Sequence, residues 1–333
     1  MPLIVTPRYL VGVADFYQQL GSMYQAGVGV VPSLKSIQGS AKSRVLRGPI
    51  QTIIRQVESG QTLAESMKSV PGWLPQFDGA MLDAGEQSGR LDATFLLLAD
   101  FYRRRVHTAR EVLNNVSYPL FVLHFAVFLL PFPTLFRTGD IGAYLIATLG
   151  FLVPAYAIAA TVIYAAQARR GIGCRAFIEG ITRWIPLLGA ARFSLAIGRL
   201  STALAALISA GVPMVRAWEL AAQASGSVAV WRVVRQWRRP LEEGMTPADL
   251  LGQAGLFPEY FVKLYRTGEV TGSLDDTLDR LGDHYLEEGN GKLGLFAQWF
   301  PRLVYLIVAG YVAFQVISFW MGYFDQISEA GGF

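Results

Sequence analysis

Two carboxylates, Glu86 and Glu269, lie in two copies of one short motif and are the best-placed candidates for chemistry. The motif reads Gly-Glu-x-x-Gly-x-Leu-Asp at 85–92 and again at 268–275. Its glycines permit positive φ, which predicts tight reversals between helices. Each glutamate either faces a partner or cation, or accepts hydrogen bonds from backbone amides of the turn. The candidate partner-binding residues are Glu86, Gly89, Leu91, Asp92, Glu269, Gly272, Leu274 and Asp275.

The sequence lacks the residues that a phosphate-binding site or a metal-binding site needs. The segment 289–294 has the glycine spacing of a dinucleotide loop, but it follows an acidic helix rather than a strand. No Walker A sequence occurs, and the three histidines are too separated to suggest zinc. The single cysteine, Cys174, excludes an intrachain disulfide. We therefore predict no catalytic residue, no cofactor and no metal.

Two charged stretches have a plainer interpretation than a binding site. Acidic residues recur at helical spacing from Asp275 to Glu288, which predicts a solvated face, with docking of a basic partner as the alternative. Arginines at 235, 238 and 239 accompany Trp231 and Trp237. A solvated or membrane-proximal helix explains this second stretch better than RNA does, and the net charge of +4 is too small to indicate nucleic acid.

Three long segments without Asp, Glu, Lys or Arg predict membrane spans at 112–136, 141–168 and 303–324. About 20 apolar residues suffice to cross the hydrocarbon core. Hydrophobic residues make up 52% of the chain and the mean hydropathy is +0.35, so we expect soluble domains joined to a few spans. His124 and Gln315 fall inside the first and third spans. Because burying polar groups in lipid is costly, they either join helices within one molecule or serve a contact with a protein partner or a proton-related role.

The basic residues predict the orientation of the chain. Segments 1–111 and 169–302 hold 12 and 16 of the 29 lysines and arginines, whereas the tail 325–333 holds none. Positive charge favours the cytoplasmic side. The N-terminus and both large segments are therefore predicted to be cytoplasmic, and the C-terminus periplasmic.

The two cytoplasmic segments carry an internal repeat with an offset of 183 or 184 residues. The matching markers are Ala26-Gly27-Val28 with Ala210-Gly211-Val212, Glu58 to Thr62 with Glu242 to Thr246, Leu74 to Phe77 with Phe257 to Tyr260, and the Gly-Glu motif. Gly29, Val30 and Val31 look like an insertion before Pro32. Apolar residues at helical spacing, with glycine and proline between the segments, predict an all-α membrane protein. It has two homologous cytoplasmic helical bundles, 1–111 and 169–302, and three transmembrane helices.

A helical unit ending in this motif, duplicated around two spans and closed by a third, resembles the type II secretion system F family. The resemblance covers roughly residues 10–325 and is nearest to the compact type IVb pilus platforms. It implies a non-enzymatic, homo-oligomeric inner-membrane platform that couples a hexameric assembly ATPase to insertion of pilin or pseudopilin subunits. Other inner-membrane assembly proteins and lipid are the remaining implied partners. The alternatives are a repeat-built transporter, although transporter repeats duplicate membrane helices, and a membrane enzyme.

Overall fold

The computed structural model describes residues 7–40, 44–70, 73, 75–132, 135, 139–167 and 186–331, all helices and turns. Side chains at 40, 44–47, 158–167, 186, 315, 319 and 322–331 are outside this description. The first copy contains α1 Pro7–Gln25, α2 Val30–Ser40, α3 Arg44–Glu58, α4 Leu63–Ser69, α5 Gln76–Gln87 and α6 Leu91–Leu129. Helix α7, Ile141–Gln167, follows. The second copy contains α8 Pro186–Ser209, α9 Met214–Ser225, α10 Val228–Arg235, α11 Arg238–Glu242, α12 Pro247–Ala254, α13 Glu259–Thr271 and α14 Leu274–Gly331.

The helix boundaries repeat with the sequence offset and correct one expectation. Helix α2 begins at Val30 and α9 at Met214, which keeps the offset of 184 without interruption. The expected insertion at Gly29–Val31 was therefore wrong. Pro32 lies in the first turn of α2, where a missing N–H costs nothing, whereas Pro213 is the N-cap of α9, so the two prolines are not equivalent.

Local capping signals fix where the first helices of each copy end. Gly27 and Gly211 have φ of 82° and 84°, the left-handed conformation that glycine adopts without steric cost. The N–H groups of Val28 and Val212 donate back to carbonyls five residues earlier. Thr62 begins α4 with a reciprocal capping box, as its spacing to the glutamate three residues later predicts.

The buried apolar side chains of the two copies form one continuous cluster. Its largest fully buried members are aromatic in both copies, with Tyr17, Phe95 and Tyr102 in the first and Trp218 and Tyr265 in the second. Aromatic rings bury large apolar areas and therefore dominate the energetics of such a core. Residues 1–111 and 164–291 accordingly make up one compact unit, and residues 112–163 and 292–333 a second.

Among the residues that the structure describes, three helices are long and apolar enough to cross a membrane, within Leu91–Leu129, Leu187–Ser209 and Leu274–Ser318. The Leu187–Ser209 window is 78% buried inside the protein, against 17% and 6% for the other two, so we assign it to the core of the second copy. The predicted second span lies in α7, where Ile141–Ala157 is a shorter apolar helix. The span boundaries 112–136, 141–168 and 303–324 stay predictions.

Exposed apolar side chains are concentrated in the second compact unit. Phe121, Ile146 and Ile307 expose 69%, 75% and 67% of their surface. In the first unit the large exposed hydrophobic residues are isolated and few among the residues described. An apolar surface this extended is avoided in water, which favours a lipid-facing role for the second unit.

Candidate functional site

The motif glutamate of the first copy is bonded to the start of a helix rather than to its own turn. The N–H of Leu63 donates to Glu86 Oε1 at 2.9 Å, and the N–H of Ala64 donates to Oε2 at 3.1 Å. These are the first two amides of α4, which have no partner within the helix. A half-buried carboxylate here also faces the positive end of the helix dipole. Glu86 thereby ties α5 to α4.

Glu269 makes the equivalent connection in the second copy with one change. Its carboxylate accepts from the N–H of Ala248, in the first turn of α12, and the Thr246 side chain bonds to it as well. Pro247 stands where Leu63 stands in the first copy and has no N–H, so one of the two amide bonds is lost. Burial raises the pKa of Glu269, and these hydrogen bonds act in the opposite direction.

The first glycine of each motif serves close packing, which corrects the expectation of positive φ at both glycines. Only Gly89 and Gly272 have positive φ, at 69° and 70°. Gly85 and Gly268 are buried within α5 and α13. A Cβ on Gly85 would lie 2.2 Å from Thr94 Oγ1, and one on Gly268 would lie 2.7 Å from Thr277 Oγ1. Because glycine has no Cβ, α6 can pack directly against α5, and α14 against α13.

The remaining motif residues hold the start of the long helices. Leu91 and Leu274 are each 7% exposed and belong to the shared core. Asp92 and Asp275 lie in the first turns of α6 and α14, where a negative charge is favourable. In the structure, the motif residues thus stabilise contacts between helices of the chain itself. Contact of its eight candidate residues with a partner stays a proposal.

The sequence analysis missed an ion-pair cluster that joins the two copies. Arg104 on α6 bonds to Asp279 and Asp283 on α14 at 3.5 and 2.9 Å, and to Asp100 on its own helix at 2.9 Å. Farther along α6, Glu111 also accepts a hydrogen bond from Asn290 of α14. Part of the acidic run on α14 is therefore neutralised within the chain. The spacing of charges in the sequence predicted the acidic face of α14 but not that Arg104 pairs with it.

A second missed feature is a buried carboxyl group in the first copy. Asp78 accepts hydrogen bonds from the hydroxyls of Tyr17 and Tyr102 at 2.8 Å each, and all three side chains are inaccessible to solvent. Burial raises the pKa of Asp78 to about 6, although both tyrosines and Arg105 act to lower it. The corresponding residue of the second copy is Phe261, so the repeat does not require a polar group here.

Of the two polar residues predicted inside spans, one has described contacts. His124 Nδ1 contacts the Leu120 carbonyl oxygen at 2.6 Å, and its Nε2 contacts the hydroxyl of Tyr156. The histidine thereby joins α6 to α7, in agreement with the simpler interpretation of helix packing. Gln315 lies in α14, and its side chain is outside the described residues.

Together these features define the class of the protein. It is an all-helical membrane protein whose helical bundle occurs twice, and each copy continues into a long apolar helix. The sequence profile of the family described as type II secretion system (T2SS), protein F, matches residues 16–136 and 200–322. The chain belongs to this family, which confirms both the resemblance and the fold class. Family membership and the apolar helices make it an inner-membrane protein.

Relatives from both pilus and secretion systems are similar over nearly the whole chain. The type IV pilus assembly protein PilC of Myxococcus xanthus is 24% identical over 329 residues, which cover 93% of this chain and 79% of that protein. The type II secretion system protein F of Aeromonas hydrophila is 24% identical over 332 residues, or 90% and 82%. PilC of Thermus thermophilus is 26% identical over 300 residues, or 83% and 73%.

Proposed function

We propose that this chain is a non-enzymatic platform that couples a cytoplasmic assembly ATPase to insertion of pilin or pseudopilin subunits. The relatives' names support a pilus or secretion platform, and the family consists of structural platform proteins. In this proposal, the N-terminus and both copies of the bundle face the cytoplasm, and the C-terminus faces the periplasm. The spans receive the subunits, and the copies dock on the ATPase.

The observation that carries the coupling proposal is the continuity of two helices. Helix α6 runs from Leu91 in the first compact unit to Leu129 in the second, with Pro119 inside it, and α14 runs from Leu274 to Gly331, with Pro301 inside it. An α-helix transmits displacement because every turn is hydrogen-bonded to the next. Arg104 and Asn290 join these two helices before the apolar segments begin. A push on the bundles is thereby passed to both helices together.

The alternatives lack such a supporting feature. A transporter built from repeats duplicates its membrane helices around a binding site. Here one apolar helix is duplicated, as α6 and α14, and the other duplicated helices, α1–α5 and α8–α13, lie in the first compact unit. A membrane enzyme needs a nucleophile with a base, or a metal, and no group of three or more potential metal-ligating side chains occurs among the described residues.

An insertion in α6 tests the coupling. Four residues, Gly-Ser-Gly-Ser, inserted after Glu111 break the helix between the two units, and the same insertion after Gly139 in the α6–α7 loop is the control. We expect the first variant to reach the membrane and to retain the ATPase in co-isolation, yet to assemble no pili or secrete nothing. The control should assemble normally. Normal assembly by the first variant would refute coupling through the helix.

A further inference from the structure

The second copy carries a small groove between α9 and α10. It has a volume of about 190 Å³ and is lined by Glu219, Ala222, Gln223, Trp231 and Arg235. The Cζ atom of Arg235 lies 5.2 Å from the centroid of the Trp231 ring, so the guanidinium stacks on one wall. Drug-sized ligands occupy about 300 Å³ or more. The groove therefore suits one side chain rather than a metabolite.

The charges around this groove are unbalanced. Helices α9–α11 and the C-cap residue of α11 carry three carboxylates, and each already pairs with an arginine. The pairs are Glu219 with Arg216 at 3.2 Å, Glu242 with Arg238 at 3.1 Å and Glu243 with Arg239 at 2.8 Å. Arg232 and Arg235 are exposed and form no ion pair among the described residues. The charge of Arg235, which lies over the Trp231 ring, thus remains uncompensated, as does that of Arg232 on the same helix.

This arrangement is specific to the second copy. At the offset of 184, Trp231, Arg232 and Arg235 correspond to Arg47, Gly48 and Gln51. The first copy forms the equivalent helix, α3, without an aromatic residue stacked against a guanidinium. The bundle fold therefore does not depend on this pair. A pair four residues apart also stabilises its own helix, but only weakly.

We propose that this groove binds an acidic segment of a protein partner. One carboxylate of the segment pairs with Arg235, and a neighbouring apolar side chain covers Trp231. Arginine forms bidentate hydrogen bonds with carboxylates, and tryptophan with arginine dominates binding energy at protein interfaces. The inference rests on the proposed function, because an assembly platform meets protein partners on its cytoplasmic side.

Other anions fit the surface less well. A free phosphate would leave the Trp231 ring uncovered. Nucleic acid binds through many unpaired cations that follow its backbone. On this face three of the five arginines are already engaged by glutamates. A carboxylate next to an apolar group matches both the guanidinium of Arg235 and the ring of Trp231.

The test uses the full-length protein in detergent with a fluorescent peptide in which leucine is flanked by glutamates. A peptide with glutamines in place of the glutamates, inorganic phosphate and phosphatidylglycerol vesicles are the comparison probes. We expect Arg235→Gln to weaken acidic-peptide binding by about tenfold or more, the factor that loss of one charge-assisted hydrogen bond produces. Trp231→Leu should weaken it as well. Arg239→Gln is the control, since that arginine is exposed but paired outside the groove.

Three results would overturn the inference. These are equal binding of the glutamine peptide, equal weakening by Arg239→Gln, or Arg235-dependent binding of vesicles without binding of peptide. Thermal midpoints for every variant separate lost binding from lost folding. A deletion strain that still assembles pili or secretes would refute the proposed platform function. If only peptide binding failed, the proposal for the groove would be refuted and the platform proposal would stand.

Discussion

At the scale of single residues, Glu86 and Glu269 hold helices together. Glu86→Gln leaves one carbonyl oxygen to serve two amides, and we expect the unfolding free energy to fall by about 1–2 kcal/mol. Glu269→Gln should cost less, because Pro247 has already removed one amide. Both variants should lose membrane abundance and assembly together, as thermal midpoints in detergent and assays of piliation or secretion would report.

The control for these variants is Glu65→Gln, since glutamine also completes a capping box at that position. It should leave the thermal midpoint nearly unchanged. A normal midpoint combined with lost assembly in Glu86→Gln would instead favour a partner contact for the carboxylate.

Asp78 should make the stability of the chain depend on pH. Burial raises the pKa of Asp78 from 3.8 to about 6, so the folded protein keeps a proton that the unfolded chain has already released. The stability from this group is therefore complete below about pH 4 and is lost as the pH rises through about 6. The full difference is about 3 kcal/mol, at about 1.4 kcal/mol per pKa unit.

Unfolding of wild type and Asp78→Asn should be compared from pH 4 to pH 8. The groups that interact with Asp78 are Tyr9, Tyr17, Tyr102 and Arg105; the pKa values of all three tyrosines are raised, so none of them titrates in this range. Wild-type stability should decline relative to the variant between about pH 4 and about pH 6 and change little above that. Parallel pH profiles would contradict a protonated Asp78.

At the scale of helices, the contact of α5 with α6 depends on an absent side chain. Gly85→Ala places a methyl group 2.2 Å from Thr94 Oγ1, so the helices must separate. We expect a loss of about 1–3 kcal/mol, as for other overpacked sites, with partial recovery when Thr94→Ala is added. Gly291→Ala is the control, because this exposed glycine inside α14 has open space around it, and alanine there should gain about 0.5–1 kcal/mol. Equal effects at both glycines would refute the packing role.

At the scale of the whole molecule, the distribution of basic residues predicts the topology. Segments 1–111 and 169–302 hold 28 of the 29 lysines and arginines, and positive charge is retained in the cytoplasm. Alkaline phosphatase, which is active only in the periplasm, should be active when fused after Phe333 and inactive when fused near Arg192. The reverse pattern would invert the proposed orientation. Both bundles would then lie in the periplasm, on the opposite side of the membrane from a cytoplasmic ATPase.

The sequence alone determined the features that depend on neighbours along the chain. The glycine caps at 27 and 211, the capping box at Thr62 and the helical class follow from local backbone geometry and side-chain periodicity. The repeat was visible because each copy keeps the same local signals at a constant offset. Even there, a repeated proline suggested an insertion that the helix starts exclude.

Only the tertiary structure decided what the polar groups contact. Glu86 bonds to amides 22 and 23 residues away, Asp78 to tyrosines 24 and 61 residues away, and Arg104 to an aspartate 179 residues away. The role of Gly85 and Gly268 is likewise set by the helix that packs against each of them. A charge or a small residue has several possible partners along an unfolded chain, and the packing of helices around one apolar core selects among them.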